Sequence, residues 1–403
     1  ETACCGTSSL TVGKGRPASI RQRSMKTSEV LLALLVLVMS SISASAAPRE
    51  VVYVEAEQFE NLGGWDLDTQ SMDVMGSPYL LAHGLGVPVA DASTTIDVPV
   101  AGEYRVWVRT RDWVAPWGAK GAPGRFEVHL NGTPLPKTFG TEGAEWHWQN
   151  GDVVRLPKGR VKLSLHDLTG FEGRCDAIVL CRNLEFEPPN NPKPLQVFRF
   201  KQLGLSASPT DAGRFDIVVV GGGTAGISAA LSAARQGLSV ALVQDRPVLG
   251  GNSSSEVRVW PEGNTKQEPY PHIGEIVDSL IPTRLPTDGN AKSKDRYGDD
   301  QKLRLVMEEP RIKLLLSHRM NGVEMRRGRI ASVIAQSTRT SQRIRLRAAF
   351  FADCTGDAGV GYLAGAHFET TPEGKMGASN LWNLVDTSKP EELIKCECKD
   401  KDA

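Results

Sequence analysis

The residue types and spacings best suited to chemistry lie between residues 216 and 251. Ile217-Val218-Val219-Val220 is a short apolar run with the character of a fully buried parallel strand. It leads straight into Gly221-Gly222-Gly223-Thr224-Ala225-Gly226, a G-x-G-x-x-G turn. That spacing suits phosphate binding. Gly221 permits the tight exit from the strand, Gly223 leaves room for a pyrophosphate, and Gly226 lets the next helix pack close to the strand. The free N–H groups at the helix start, on Thr224 and Ala225, hold the phosphate charge together with the helix dipole. An Ala- and Leu-rich helix over 227–236, closed by Gly237, and a second apolar strand over 238–243 complete a βαβ unit of dinucleotide-binding type. Outside such a setting the same turn would be a plain glycine loop.

Two more corners belong with the first. At the end of the second strand, dinucleotide binders place a group that bridges ribose hydroxyls. Counting from Gly221, that position falls on Gln244, with Asp245 next to it; Gln can bond the hydroxyls without charge, and Asp245 supplies an acid if the strand runs one residue longer. A short loop then reaches Gly250-Gly251-Asn252-Ser253. Far downstream, an apolar strand over 348–352 feeds Asp353-Cys354-Thr355-Gly356-Asp357, where a second glycine lets backbone approach a ligand.

The block Gln244-Asp245-Arg246-Pro247-Val248-Leu249-Gly250-Gly251-Asn252-Ser253-Ser254-Ser255-Glu256-Val257-Arg258 resembles the FAD-binding signature of two-dinucleotide flavoproteins. More narrowly, it resembles the secreted FAD-dependent oxidoreductases related to the flavin subunit of heterodisulfide reductase, over roughly 216–390. The resemblance implies FAD as cofactor and hydride transfer between a substrate carbon and the flavin. It implies that Gly250 and Gly251 pass beneath the flavin diphosphate and ribityl chain, with Asn252 and Ser253 donating to them. Glu256 and Arg258 would face the isoalloxazine or, alternatively, form a surface salt bridge. Met320 would touch the adenine through its backbone. Thr355, Gly356 and Asp357 match the family's D-A-T-G-D motif, with Cys354 in place of the usual Ala. A packing role is expected for Cys354, since a redox role needs a partner cysteine and none is near in sequence. Some relatives carry four-iron clusters, but this chain has no C-x-x-C run, so no cluster is expected.

The elements that position these corners read as a helix over 274–280, a helix over 299–308 ended by Pro310, and a strand over 312–316. A meander follows over 323–325, 330–335 and 344–346. The polar stretch 263–300 would shape a substrate pocket, with Tyr270 and His272 as candidates; no catalytic base is identified.

Residues 50–185 read as all-β. Tyr104, Val106 and Val108 alternate with Arg105, Trp107 and Arg109; Phe126, Val128 and Leu130 alternate before an Asn131-Gly132 turn. A β-sandwich is the expected architecture. Val54-Glu55-Ala56-Glu57, Pro99-Val100-Ala101-Gly102-Glu103-Tyr104 and Asp176-Ala177-Ile178-Val179-Leu180 resemble the carbohydrate-binding jelly rolls attached to secreted polysaccharide-active enzymes. That resemblance implies a structural calcium, with Glu55, Glu57 and Asp176 as the matching carboxylates; plain solvated surface is the other reading. Trp113, Trp117, Trp146 and Trp148 either stack on sugar rings or fill the gap between domains.

The 403 residues carry 47 basic and 47 acidic side chains, with no basic block interleaved with aromatics, so nucleic acid is an unlikely partner on charge grounds. Met25, a following Lys26, an apolar run over 30–39 and Ala44-Ser45-Ala46 read as a secretory signal peptide over 25–46, the rival being an uncleaved anchor. Residues 1–24 precede it as a non-domain segment. Residues 186–214, with Pro188, Pro189, Pro192 and Pro194, read as a linker. Residues 215–390 are read as an FAD domain that stops short of its family's length, and 391–403 as a charged tail. The seven cysteines give no disulfide framework. Cys175 and Cys181 are read in one extended strand, about 20 Å apart at ~3.3 Å per residue, and Cys396-x-Cys398 is too little for a metal site.

The expected protein is therefore α/β plus all-β: an exported, periplasmic or extracellular FAD-dependent oxidoreductase acting on a small molecule or glycan, without a membrane span once the leader is cleaved. The alternative is a secreted polysaccharide-binding protein with a vestigial flavin domain. An NAD-dependent enzyme leaves the Thr355-Gly356 return strand without a role. Substrate, electron acceptor and oligomeric state are not legible.

Overall fold

The computed structural model describes residues 50–118, 121–261, 267–272, 274–281 and 294–370. The stretch expected as a leader, Met376 to Trp382, Cys396, Cys398 and the stretch expected as a charged tail lie outside them. Among the described residues no helix is long and apolar enough to cross a membrane.

The first half is built from β1 (Val51–Glu55), β2 (Asp66–Asp68), β3 (Tyr79–His83), β4 (Ala92–Val98), β5 (Gly102–Thr110), β6 (Phe126–Leu130), β7 (Thr133–Pro134), β8 (His147–Leu156), β9 (Gly159–Asp167), β10 (Phe171–Cys175) and β11 (Ala177–Cys181). A short helix, α1 (Met72–Met75), precedes β3. One sheet runs β1-β11-β5-β8 and another β4-β9-β6-β7, with β10-β3-β2 as a smaller third. The period-two pattern does what it should: Tyr104, Val106 and Val108 face Phe126, Val128, Leu130, Val161, Leu163 and Leu165 in one shared core. Asn131 and Gly132 both take positive φ, 50° and 81°, and Leu130 pairs with Thr133 across a two-residue hairpin.

The stretch from Cys175 to Cys181 is not one strand. It turns at Asp176, whose N–H donates to Arg109 O at 2.9 Å, and β10 and β11 enter different sheets. Cys175, Cys181 and Cys354 are all free thiols.

The segment 186–214, expected as a linker, is ordered. Pro192–Leu203 is helix α2, with its prolines in the first turn, where no N–H is needed, and Gly204 at φ 66° as its left-handed cap. Leu195 and Arg199, four residues apart, point into the sandwich side and are buried. Trp107 Nε1 donates to Phe186 O at 2.9 Å and Trp148 Nε1 to Pro189 O at 3.1 Å, so the proline stretch is pinned as well.

The second half centres on one mixed sheet, β14-β13-β12-β17-β16-β15. Its strands are β12 (Thr210–Val220), β13 (Val240–Val243), β14 (Ile312–Leu315), β15 (His318–Arg326), β16 (Arg329–Ser337) and β17 (Arg343–Asp353). The first three and β17 run parallel, while β15, β16 and β17 form an antiparallel meander. The last meander strand and the return strand, read separately from sequence, are one eleven-residue strand. Helices α3 (Thr224–Arg235), α4 (Glu275–Leu280) and α5 (Asp299–Met307) cover one face, where Ile227, Leu231, Leu280 and Val306 bury against Val219 and Leu242. The opposite face packs Val218, Val220, Val333 and Leu346 together with Val360 of α6 (Gly359–Leu363). This is a Rossmann-like sheet with its crossover helix, preceded by a β-sandwich.

Candidate cofactor site

The parallel register sets the site. Val220 of β12 is level with Val243 of β13 on one side and with Asp353 of β17 on the other, so all three strands end at the same edge. Ligands of open parallel sheets bind beyond that edge. Gly221 leaves β12 with φ 103°, and a Cβ there would lie 2.1 Å from Cys354 O, so only glycine allows the two strand ends to touch. Cys354 N donates to Val220 O at 2.8 Å, which locks the contact. At Gly226 a Cβ would strike Gly221 O at 1.8 Å, the close helix-to-strand packing expected of that position.

Gly223 differs from both. A Cβ there would meet only Gly251 Cα, at 3.9 Å, so the space it leaves faces the second glycine corner rather than a wall. That corner is held against the first by Gly250 N donating to Gly222 O at 2.8 Å and by a parallel bridge between Gly223 and Gly250. Ser253 Oγ lies 3.1 Å from Thr224 Oγ1, at the start of α3, and donates to Gly250 O. The first N–H groups of α3, on Thr224 and Ala225, have no partner within the helix, as at any helix start. The cradle fits a diphosphate: open space over Gly223, donors at the helix start, and the positive end of its dipole. Thr355 and Gly356 flank it on the β17 side, where Asp353 accepts from Thr355 Oγ1 at 2.7 Å and from Gly361 N at 2.9 Å. Asp357 is exposed beyond them, and Asn252 is exposed beside Ser253.

Several residues do other work than the sequence suggested. Gln244 does not offer its amide to a ribose. It is 4 % exposed, accepts from Gly222 N at 2.7 Å and donates to Val248 O at 3.1 Å, stapling the first glycine turn to the loop that leads to the second. Asp245 brings a carboxylate to this corner, paired with Arg319 Nη1 at 3.7 Å. Met320 pairs with Ala335 in the β15–β16 ladder and packs its side chain beside Gly359. The residue of that segment that meets the corner is Arg319, brought there because His318 N donates to Gln244 O at 2.8 Å. Arg319 also donates to Asp73 Oδ2 at 3.0 Å, so α1 of the sandwich reaches the site.

Glu256 pairs with Arg246 at 3.7 Å rather than with Arg258, and burial raises its acid above the usual carboxylate range. Arg258 turns back to donate to Ser255 O at 3.0 Å. Tyr270 and His272 are both exposed, with His272 Nδ1 2.6 Å from Glu275 Oε1. Cys354 packs against the Gly226 turn, and burial raises its thiol, as suits a packing residue.

The three expected calcium carboxylates do come together, but not on a solvated face. Glu55, Glu57 and Asp176 are all buried. Arg199 Nε donates to Glu55 Oε1 at 2.6 Å, and Arg109 Nη1 to Asp176 Oδ2 at 2.8 Å. Two of the three charges are thus already met by guanidinium groups. Glu55 Oε2 and both oxygens of Glu57 have no hydrogen-bond partner. Among the described residues no cluster of three or more acidic, His or Cys side chains is arranged to hold a metal ion. This donor set does not make a calcium cage.

The tryptophans divide. Trp146 and Trp148 are buried, the latter in the cluster that contains Leu195 of α2, so Trp148 fills a gap between elements. Trp117 is 70 % exposed, with its ring 6.1 Å from that of Trp113 in an edge arrangement.

Residues 216–389 match the family model described as FAD dependent oxidoreductase. The chain is 47 % identical over 53 residues to a fumarate reductase (cytochrome) of Shewanella frigidimarina, a match covering 13 % of this chain and 9 % of that protein. It is 37 % identical over 79 residues to a 3-oxosteroid 1-dehydrogenase of Mycolicibacterium smegmatis, covering 17 % of this chain and 14 % of that protein. The chain thus spans only a small part of the length of these curated relatives. A family 35 carbohydrate binding module from Clostridium thermocellum aligns with 33 % of this chain and 98 % of its own, at 18 % identity and a TM-score of 0.26. Over residues 216–389 the chain is similar to the FAD-dependent oxidoreductases.

Proposed function

We propose that the protein is an exported FAD-dependent oxidoreductase whose β-sandwich binds a glycan. The observation that carries the reading is the meeting of three glycine corners, Gly221–Gly223, Gly250–Gly251 and Thr355–Gly356, at one edge of the sheet. The N–H groups of Thr224 and Ala225 bind the diphosphate, and Gly223 gives it room. Asp245 holds the ribose end, with Arg319 orienting its carboxylate. When bound, FAD supplies the redox chemistry by accepting or returning a hydride. The chain's own part is to bind, orient and keep water from the ring. A link to the flavin subunit of heterodisulfide reductase rests on the block from Gln244 to Arg258, and export on the leader-like stretch over 25–46. Glycan binding is supported by the exposed Trp117 beside Trp113, since a flat apolar ring suits the face of a sugar. Calcium is not part of the reading, because arginines already meet two of the three carboxylates.

The test is the visible spectrum of the purified protein with a glycan-binding assay beside it. Bound flavin that is bleached by a reductant and restored by an acceptor supports the enzyme. A colourless protein that cannot be loaded with FAD, yet retains glycan, overturns it in favour of the polysaccharide-binding alternative.

A further inference from the structure

Lys302 is the buried cation that none of the glycine motifs accounts for. It is the fourth residue of α5 and is 1 % exposed. Its stem runs under the second glycine corner: a Cβ on Gly250 would lie 3.2 Å from both Lys302 Cδ and Cε. Its Nζ donates to Ser253 O at 2.9 Å and to Tyr297 O. Both partners are neutral carbonyls. Asp299, one turn earlier, is the acid that acts on it, and its oxygens accept from Ser255 N at 3.1 and 3.3 Å. Removal from water lowers the ammonium's pKa, with Asp299 opposing.

An ammonium out of water with only carbonyls around it is costly unless a counter-charge completes the site. The surroundings say where that charge sits. Ser253, whose carbonyl Lys302 holds, touches Thr224 at the start of α3 through its side chain. The positive end of α3 and the Lys302 ammonium therefore lie on two sides of the same short turn, 250–253.

We propose that Lys302 is the counter-cation of the cofactor's diphosphate and the residue that positions the Gly250–Ser253 turn to receive it. This rests on the FAD-binding reading above. Its charge acts across the turn, while its hydrogen bond to Ser253 O fixes that carbonyl of the turn and its bond to Tyr297 O ties the turn to the segment before α5. A dinucleotide diphosphate thus meets a helix terminus and a lysine, although the chain has no lysine within its glycine motifs.

The test uses the full chain and equilibrium titrations with FAD, ADP and adenosine, which share the adenine end but differ in phosphate charge. Lys302→Met is expected to weaken FAD and ADP more than tenfold and to leave adenosine within about twofold. Equal losses for ADP and adenosine, or no loss at all, overturn the proposal, since they indicate packing alone. Asp299→Asn leaves Lys302 in place and keeps an acceptor for Ser255 N, so it tests the charge even if Lys302→Met does not fold. Measured at a pH low enough to keep Lys302 protonated, it removes a competing negative charge and is expected to tighten ADP about threefold or more with adenosine unchanged; unchanged or weaker ADP binding there contradicts the assignment. Should the wild type bind neither FAD nor ADP, it is the cofactor reading that fails, a result distinct from either variant's.

Discussion

Arg199 and Glu55 meet at 2.6 Å in a site closed to water, one from the helix after the sandwich and the other from its first strand. Arg199 also donates to Met75 O at 3.3 Å and to Ser341 Oγ at 3.2 Å. One guanidinium thus joins β1, the end of α1 and the loop between β16 and β17. The sandwich and the flavin sheet share this buried cation, and with it Gln336 Nε2 donating to Gly76 O at 2.8 Å.

Arg199→Met leaves Glu55, Glu57 and Asp176 with one arginine between them. Breaking a buried pair from one side costs about 3–5 kcal/mol. Denaturant unfolding of the variant is expected to show that loss, with the two halves separating into distinct transitions where the wild type shows a single one.

Glu57 sets a pH dependence. Burial, then the neighbouring Glu55, raise its acid well above the carboxylate range, while burial raises Glu55 to about 7 against the pull of Arg199. Both acids bind protons more tightly in the folded chain than in the unfolded one. Their contribution to stability is therefore full below the unfolded value of 4.5 and falls as pH rises through about 7 for Glu55, and further for Glu57. Glu57→Gln mimics the protonated acid. It is expected to match the wild type near pH 5 and to exceed it at pH 8 by at least about 1.4 kcal/mol, one pH unit of linkage. Thermal melts at the two pH values check this. A wild type stabilised by calcium at pH 8, with Glu57→Gln losing that gain, is the contrary result.

The local signals were legible and the long-range ones were not. The glycine turn after Val220 and the alternation over 102–110 are short-range patterns that need no partner to be read. Residues 186–214 misled because Pro192 and Pro194 look like linker prolines, whereas a first helical turn accepts them. The clue was Leu195 four residues before Arg199, one face of a helix. Lys302 gave a similar sign, four residues before the buried Val306 on one face of its helix. Gln244 lay at the right position for a ribose contact. Its side chain is spent on Gly222 N, a choice made by the fold of a loop that no periodicity predicts.

Two glycines in one turn are expected to behave oppositely. Gly226→Ala places a Cβ 1.8 Å from Gly221 O and should cost about 1–3 kcal/mol of stability, as overpacking does. Gly223→Ala meets nothing nearer than 3.9 Å, so the fold should persist while FAD affinity falls. Parallel melts and FAD titrations separate the two effects.

Trp117 is placed to be removed without structural penalty. Trp117→Ala should change stability by no more than about 0.5 kcal/mol, as for surface positions. It should weaken glycan retention by roughly 0.5–1.5 kcal/mol, the scale of aromatic stacking, and leave flavin content untouched. Affinity electrophoresis against a panel of polysaccharides reads the one, and absorbance the other.

The measurement that bears most directly on the account is the flavin content of the full-length wild type beside that of Gly223→Ala. The account predicts stoichiometric FAD in the first and a marked loss in the second, with equal folding by circular dichroism. Wild-type protein that is well folded and cannot be loaded with FAD, or a Gly223→Ala variant that binds it equally well, would contradict the claim that the glycine corners at the ends of β12, β13 and β17 hold one dinucleotide.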